Sequence, residues 1–278
     1  LDEAIVVSKF GMNYRDKPNF RDASRERVMD TIDQSLKRLG TDWIDVYMVH
    51  WPDRNVPFEE TMGALTDLVQ DGKIRHIGLS NFKAEEIQAC LAVGSVDVVQ
   101  YGYHLFDRRM EREIWPLCQE HGIGVMAYGS LAFGLLTGTF TEDTTFGKDD
   151  WRSRAGGSMA GMRLFDALFG EERFPRNLAV VDELEELADR KGRTLPQLAL
   201  RWATSHPAVS TALVGLRNTA ELEDNVGAIG WELTDEYVAS FKAMGKALVD
   251  LKIIEKQPDY AAMIDQRFYK VAKGGGCK

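Results

Sequence analysis

Apolar runs of strand length alternate with amphipathic helical stretches from Ala4 to Tyr128, joined by short links. Few folds accommodate that pattern. Ala4–Lys9, Ile44–His50, Ile74–Leu79, Val96–Gln100 and Ile123–Tyr128 read as buried strands, rich in Val and Ile. Between them, Asp22–Arg38, Phe58–Gln70, Ala84–Val93 and Met110–His121 place apolar residues at helical spacing. Ser24 is positioned to cap the first of these helices, and Gly40 and Gly72 stop the first two. Strand, helix, strand with links this short calls for parallel strands joined by right-handed crossovers. The period breaks at Gly129. Residues 129–176 are rich in Gly, Thr and Ser, with Phe146, Trp151, Met159, Phe165, Phe169 and Phe174 scattered among them. A stretch that long without regular structure is generally a functional loop. Helices resume at Leu178–Arg190 and from Thr194 to Trp202. A strand at Ser210–Val214, a helix at Thr219–Ala228 and another capped by Thr234 follow. Residues 258–278 form a tail that ends in Gly274-Gly275-Gly276. The expected organisation is one domain over 1–278.

In a parallel α/β barrel the chemistry collects at the C-terminal ends of the strands. Here those ends carry Lys9, His50, Ser80 with Asn81, Gln100, Tyr128, and Gly215 with Arg217. All but the glycine are polar, and all would share one rim. His50, the last residue of its run before Trp51-Pro52, could donate a hydrogen bond or a proton to a carbonyl; alone, it could equally be a core histidine satisfied by backbone. The five histidines show no metal-ligand spacing, so no metal is expected. No Gly-x-Gly-x-x-Gly, Walker or Gly-x-Ser-x-Gly motif occurs. A net charge of −9, spread along helices, argues against a nucleic-acid surface. Three cysteines without paired spacing fit a reducing, cytoplasmic setting. No apolar run is long enough to span a membrane.

Taken in order, Ser8-Lys9, Val49-His50-Trp51-Pro52, Gly78-Leu79-Ser80-Asn81-Phe82, Val99-Gln100, Ala127-Tyr128 and Gly215-Leu216-Arg217 through Glu223-Asp224-Asn225 make an ensemble. It resembles the aldo-keto reductases, over essentially all of the chain to about Ala243. The long segment after Tyr128 is similar to the bacterial and potassium-channel-β-like branch of that family. The resemblance implies a (β/α)8 TIM-type barrel, N-terminally incomplete, with about six of eight strands present. It implies NAD(P)H-dependent reduction of aldehydes or ketones to alcohols.

Residue by residue, the resemblance implies that Lys9 is the lysine that lowers the pKa of a tyrosine general acid, and that His50 orients the substrate carbonyl. Ser80, Asn81 and Gln100 would hydrogen-bond the nicotinamide carboxamide, although Ser-Asn is also ordinary turn and cap chemistry. Tyr128 would stack on the nicotinamide ring. Ser130, Leu131 and Leu135 to Gly138 lie where the family grips the pyrophosphate. Gly215 and Arg217 follow the last strand, Arg217 fits the 2′-phosphate of NADP, and Asn225 fits adenine. Glu221 sits where many members carry Arg or Gln, and a carboxylate there opposes phosphate. Arg217 and the N-terminal end of the helix from Thr219 are two favourable terms against that one, so NADP(H) is the expected cofactor, with NAD(H) as the alternative. Trp51 and Phe106 would wall the pocket of a small-molecule carbonyl compound. The family also places a tyrosine acid and a supporting aspartate upstream of the lysine strand, and the residues before Lys9 match neither. Tyr14, Tyr47, Tyr101 and Tyr103 are the nearest spare tyrosines, none of them expected to substitute. A truncated or catalytically impaired relative, or a nucleotide-sensing regulatory subunit, are the competing readings.

Overall fold

The computed structural model describes residues 4–13, 20–154 and 162–233. Its chain folds into two compact units, 1–101 with 109–126, and 102–108 with 127–278. The strands of its six-stranded sheet are β1 (Val7–Phe10), β4 (Ile44–Val49), β5 (Ile74–Ser80), β6 (Val98–Gly102), β7 (Gly124–Tyr128) and β8 (Thr211–Leu213), in that order. This is the strand count and sequence order expected. β1 is one edge of the sheet.

In the first unit, β1 pairs with β4, β4 with β5 and β5 with β6, all parallel. Every residue of β4 is buried, as its unbroken apolar run requires of a strand covered on both faces. The helices α1 (Arg25–Leu39), α2 (Phe58–Gln70), α3 (Ala84–Leu91) and α4 (Ile114–His121) alternate with the strands. α1 begins where its sequence says it should: Ser24 Oγ accepts the Arg27 amide at 3.3 Å, and Gly40 closes it in the left-handed conformation at φ 67°. α1 buries Val28 and Ile32, and α2 buries Met62, Leu65 and Leu68. Two short strands escaped the sequence reading: β2 (Met12–Asn13) pairs antiparallel with β3 (Phe20–Arg21). Two-residue strands carry no readable period.

In the second unit, α6 (Phe174–Asp189), α7 (Leu195–Ser205) and α8 (Thr219–Val226) follow α5 (Met162–Phe169). α6 starts four residues earlier than its periodicity suggests, because Pro175 is acceptable in a first turn where no backbone N–H is needed. The Gly-, Thr- and Ser-rich stretch after Tyr128 is partly regular, with 3₁₀ turns at Ala132–Thr137 and Trp151–Arg154 and α5 beyond them. Its aromatics pack on one another: Phe140 and Phe146 meet edge to face at 5.4 Å, and Trp151 lies 4.0 Å from Phe165. The expected helix after Thr234 and the 258–278 tail lie outside the described residues, as does Tyr14. Among the described residues no helix is long and apolar enough to cross a membrane.

Candidate active site

Strand register decides which side chains share a face. Lys9 is the partner of Met48, and Met48 of Gly78. One step of two residues further, Ser80 is the partner of Gln100, and His50 follows Met48 by two. Since side chains alternate with period two, Lys9, His50, Ser80 and Gln100 all project from one face, near the C-terminal ends of four neighbouring strands. The opposite face belongs to the helices: Tyr47, between these positions, sends its hydroxyl to Thr31 Oγ1 in α1 at 3.1 Å. The first unit thus gathers six of the sequence-derived site residues, these four with Asn81 and Trp51.

The hydrogen bonds between these ends are specific. Ser80 Oγ donates to the Gln100 carbonyl at 3.0 Å, and the Asn81 amide donates to the same oxygen at 3.3 Å. Asn81 Nδ2 donates to the His50 carbonyl at 3.1 Å and to Ser80 Oγ at 3.0 Å. Asn81 adopts φ 63°, a left-handed conformation that Asn tolerates better than most residues. It does not cap α3; that position is Lys83, whose amide donates to Glu86 Oε2 at 2.8 Å. The turn chemistry of Ser80-Asn81 therefore serves to tie three strand ends together.

Beneath the rim, a Cβ on Gly78 would stand 2.6 Å from Met48 Cγ. Glycine is required there for the methionine to cross the neighbouring strand. Met48 Sδ then accepts from Gln100 Nε2 at 3.8 Å, a weak contact and the only hydrogen bond of that buried amide among the described residues. A primary amide held only by a weak sulfur contact can exchange it for a stronger polar partner. Lys9 and His50 are half-buried, and neither side chain makes a hydrogen bond or ion pair among the described residues. Burial holds the Lys9 pKa below the usual lysine value. Burial, then the Lys9 charge, holds His50 below the usual imidazole value. An imidazole whose pKa is lowered in this way favours the neutral form, which can donate one N–H to a carbonyl oxygen. Of the spare tyrosines, Tyr47 is committed to Thr31 and Tyr101 donates to the Phe82 carbonyl at 2.6 Å. Both are buried with raised pKa values, and neither is a proton donor for this rim. Trp51, next to His50, is half-buried and carries the Arg21 guanidinium 5.1 Å from its ring centre.

In the second unit, Tyr128 packs close to Gly102, where a Cβ would come within 3.3 Å of Tyr128 Cε2. Gly129 turns the chain at φ 65°. Ser130, 1% exposed, donates to the Ala127 carbonyl at 3.3 Å. Leu131 precedes two non-glycine residues in the left-handed region, Ala132 at φ 47° and Phe133 at φ 56°. Each costs about 1–2 kcal/mol that surrounding contacts must offset. Phe106 is half-buried in a tight turn closed by the His104 and Asp107 backbones at 2.8 and 3.2 Å. Tyr103 is stacked on Trp202 at 4.9 Å, inside the unit.

Beyond β8, Gly215 has open space around its Cα, and Asn218 caps α8 by accepting the Glu221 amide at 2.9 Å. The tension anticipated between Arg217 and Glu221 is resolved by pairing. Arg217 Nη2 lies 2.7 Å from Glu221 Oε1, Nε donates to the same oxygen at 2.8 Å, and the Arg217 backbone amide reaches Oε2 at 2.9 Å. Those bonds hold the Glu221 pKa below the usual carboxylate value. Arg217 is still 86% exposed, so its charge remains available to an anion. Asn225 lies on the last turn of α8, half-buried. Sequence reasoning named none of Met48, Gly78, Gly102 and Phe133 as site residues, and only the Gly78 position inside a strand hinted at a close approach. Among the described residues, no group of three or more His, Cys, Asp and Glu could hold a metal ion.

Comparison with known proteins matches the model of the aldo/keto reductase family to residues 1–246. The aldo-keto reductase YhdN of Bacillus subtilis is 39% identical over 236 residues, covering 84% of this chain and 68% of that protein. The NADH-specific methylglyoxal reductase of Escherichia coli is 34% identical over 260 residues, covering 89% and 76%. Among solved structures, the glycerol dehydrogenase AKR11B4 from Gluconobacter oxydans superposes with a TM-score of 0.81 at 34% identity, over 92% of this chain and 75% of that one.

Proposed function

The chain belongs to the aldo/keto reductase family, whose activity is the NAD(P)H-dependent reduction of small carbonyl compounds, and from that premise we propose which residues carry the reaction and with which cofactor. The bound nicotinamide supplies a hydride to the carbonyl carbon. Gln100, Ser80 and Asn81 bind and orient its carboxamide, and Tyr128 stacks on its ring. His50 donates its N–H to the carbonyl oxygen and fixes the trajectory. The Lys9 cation raises the acidity of the group that protonates that oxygen. Trp51 and Phe106 line the substrate side. Ser130 and Leu131 hold the pyrophosphate, Gly215 lets the chain approach the nucleotide, and Asn225 contacts adenine. The observation that carries this reading is the shared face of Lys9, His50, Ser80 and Gln100, with the Lys9 and His50 side chains uncommitted.

The cofactor proposed is NADP(H). Arg217, at the N-terminal end of α8, offers a full charge to a 2′-phosphate, and the helix end adds a partial one. To take the phosphate, Arg217 must loosen its two side-chain bonds to Glu221. NADH, for which the E. coli relative is named as specific, requires no such exchange and is the alternative. Two buried, unpaired cysteines, Cys90 and Cys118, each with a thiol pushed up to about 12 by burial, suit a cytoplasmic setting. The test is titration with NADPH and with NADH, followed by turnover against a panel of aldehydes and ketones. Saturable binding with carbonyl-dependent nucleotide oxidation supports the assignment. Binding without turnover on any carbonyl leaves a nucleotide-sensing role.

A further inference from the structure

Phe133 is the point where three parts of the second unit meet. Its ring stands where a Cβ on Gly129 would come within 3.1 Å, directly after Tyr128. On other sides the ring is met edge to face by Trp151 at 5.3 Å, Phe165 at 5.1 Å and His104 at 6.1 Å. Its backbone is left-handed, φ 56° and ψ 32°, between Ala132 and Gly134, both also at positive φ. A phenylalanine does not hold that conformation by local preference.

Arg152 is what reaches its backbone. The guanidinium Nη1 donates to the Phe133 carbonyl at 3.3 Å. The rest of the group is fixed by Asp150, with Nε at 2.9 Å from Oδ1 and Nη2 at 2.5 Å from Oδ2, and the Arg152 amide also donates to Oδ1 at 2.9 Å. The guanidinium carbon lies 4.7 Å from the Phe146 ring centre and 5.3 Å from that of Phe140. On a Cβ at Gly134, Arg152 Nη1 would encroach at 3.2 Å. A planar fork is needed to serve Asp150 with one edge and Phe133 with the other while its faces rest on rings; an ammonium cannot do all three.

We propose that Arg152 is a positioning residue for the nicotinamide nucleotide. It fixes the left-handed turn at 132–134, and through the Phe133 ring on Gly129 it fixes Tyr128 and Ser130, so that the aromatic cluster of residues 140–169 and the nucleotide stabilise each other. The inference rests on the cofactor reading given above for Tyr128 and Ser130. Mutual stabilisation is reciprocal: whatever factor the cluster adds to nucleotide affinity, the nucleotide adds to the order of the cluster.

The test uses the full chain as wild type, Arg152→Ala, Arg152→Lys and Ser130→Ala, with NADPH as probe. Three quantities are measured: the NADPH dissociation constant, the thermal midpoint without nucleotide, and the rate of chymotryptic cleavage at Phe140, Phe146 and Trp151 with and without saturating NADPH. Arg152→Ala is expected to raise the dissociation constant about tenfold, the size of one lost hydrogen bond to a charged group. NADPH is expected to slow cleavage in the wild type and to lose that effect in Arg152→Ala. Arg152→Lys keeps the charge and gives a smaller rise with a midpoint near wild type, and it carries the test if the alanine variant does not fold. Wild-type affinity in both Arg152 variants, while Ser130→Ala binds weakly, overturns the inference and leaves the cofactor reading standing. Equal protection by NADPH in wild type and Arg152→Ala also overturns it. Wild-type affinity in all three variants removes the cofactor reading, and this inference with it.

Discussion

Gly78, Met48 and Gln100 show how a site residue depends on neighbours that carry no chemistry. Replacing Gly78 with Ala drives a Cβ to 2.6 Å from Met48 Cγ, so the methionine must leave the strand it crosses. Overpacking of this kind costs about 1–3 kcal/mol. Urea unfolding of Gly78→Ala is expected to show that loss, together with weaker nucleotide binding as Gln100 loses its support. His50 makes the complementary prediction. His50→Gln is expected to slow carbonyl reduction about a hundredfold while leaving the NADPH dissociation constant near wild type; an unchanged rate would remove His50 from the reaction. Cofactor choice also turns on single residues. Arg217→Ala is expected to weaken NADPH about ten- to a hundredfold and to leave NADH nearly untouched. Glu221→Gln, which replaces the carboxylate of this ion pair by a neutral amide, is expected to shift preference toward NADPH; paired titrations of both variants read this directly. Lys9, His50, Ser80, Asn81 and Gln100 were legible because a polar residue ending an apolar run is conspicuous. The partnership of Arg217 and Glu221 was not, since a spacing of four reads equally as repulsion from a ligand or as attraction within the chain.

At the scale of elements, the edge strand β1 is held to β4 by a carboxylate as well as by the ladder. Asp45, with its side chain 12% exposed, accepts the Val6 amide through Oδ2 at 2.9 Å and Arg75 Nη1 through Oδ1 at 2.7 Å. Arg75 is itself steadied 4.7 Å from the Trp43 ring centre. The Val6 hydrogen bond, opposed by burial and aided by Arg75, holds the Asp45 pKa below the usual carboxylate value. A folded pKa below the unfolded one gives stability that is whole above about pH 4 and is lost as pH falls through the folded value. Asp45→Asn is therefore expected to cost about 1–3 kcal/mol at neutral pH and to flatten the acid limb of stability. Unfolding curves from pH 7 to about pH 3 check it; parallel acid limbs in the two proteins would contradict this account of β1. Strong periodicity made the large elements readable: α2 begins and ends at Phe58 and Gln70, as its apolar spacing indicates. Where periodicity was weak, boundaries moved. The helix expected from Met110 begins at Ile114, after a 3₁₀ turn at Arg109–Glu111.

For the molecule as a whole, the strand–helix alternation pointed to parallel strands with polar residues on one rim, and the resemblance of the strand-end motifs to the aldo-keto reductases implied carbonyl reduction; the family match over residues 1–246 agrees. The segment after Tyr128 was the least legible part. Its aromatics are scattered along the sequence, and Phe140, Phe146, Phe169 and Phe174 pack into a cluster, with ring centres 5.3 to 6.3 Å apart. No single period announces such a cluster, because Phe140 and Phe146 come from the irregular stretch between two 3₁₀ turns, while Phe169 ends α5 and Phe174 begins α6. The proposed reaction is direct transfer of a hydride from a nicotinamide held by this chain to a carbonyl carbon. It is tested most directly with NADPH carrying deuterium at both C4 positions and a small aldehyde. Mass spectrometry of the alcohol is expected to find one deuterium on the carbinol carbon in every product molecule, and no alcohol is expected to form when NADPH is omitted. An alcohol formed without deuterium, or no alcohol at any concentration of bound nucleotide, would contradict the claim.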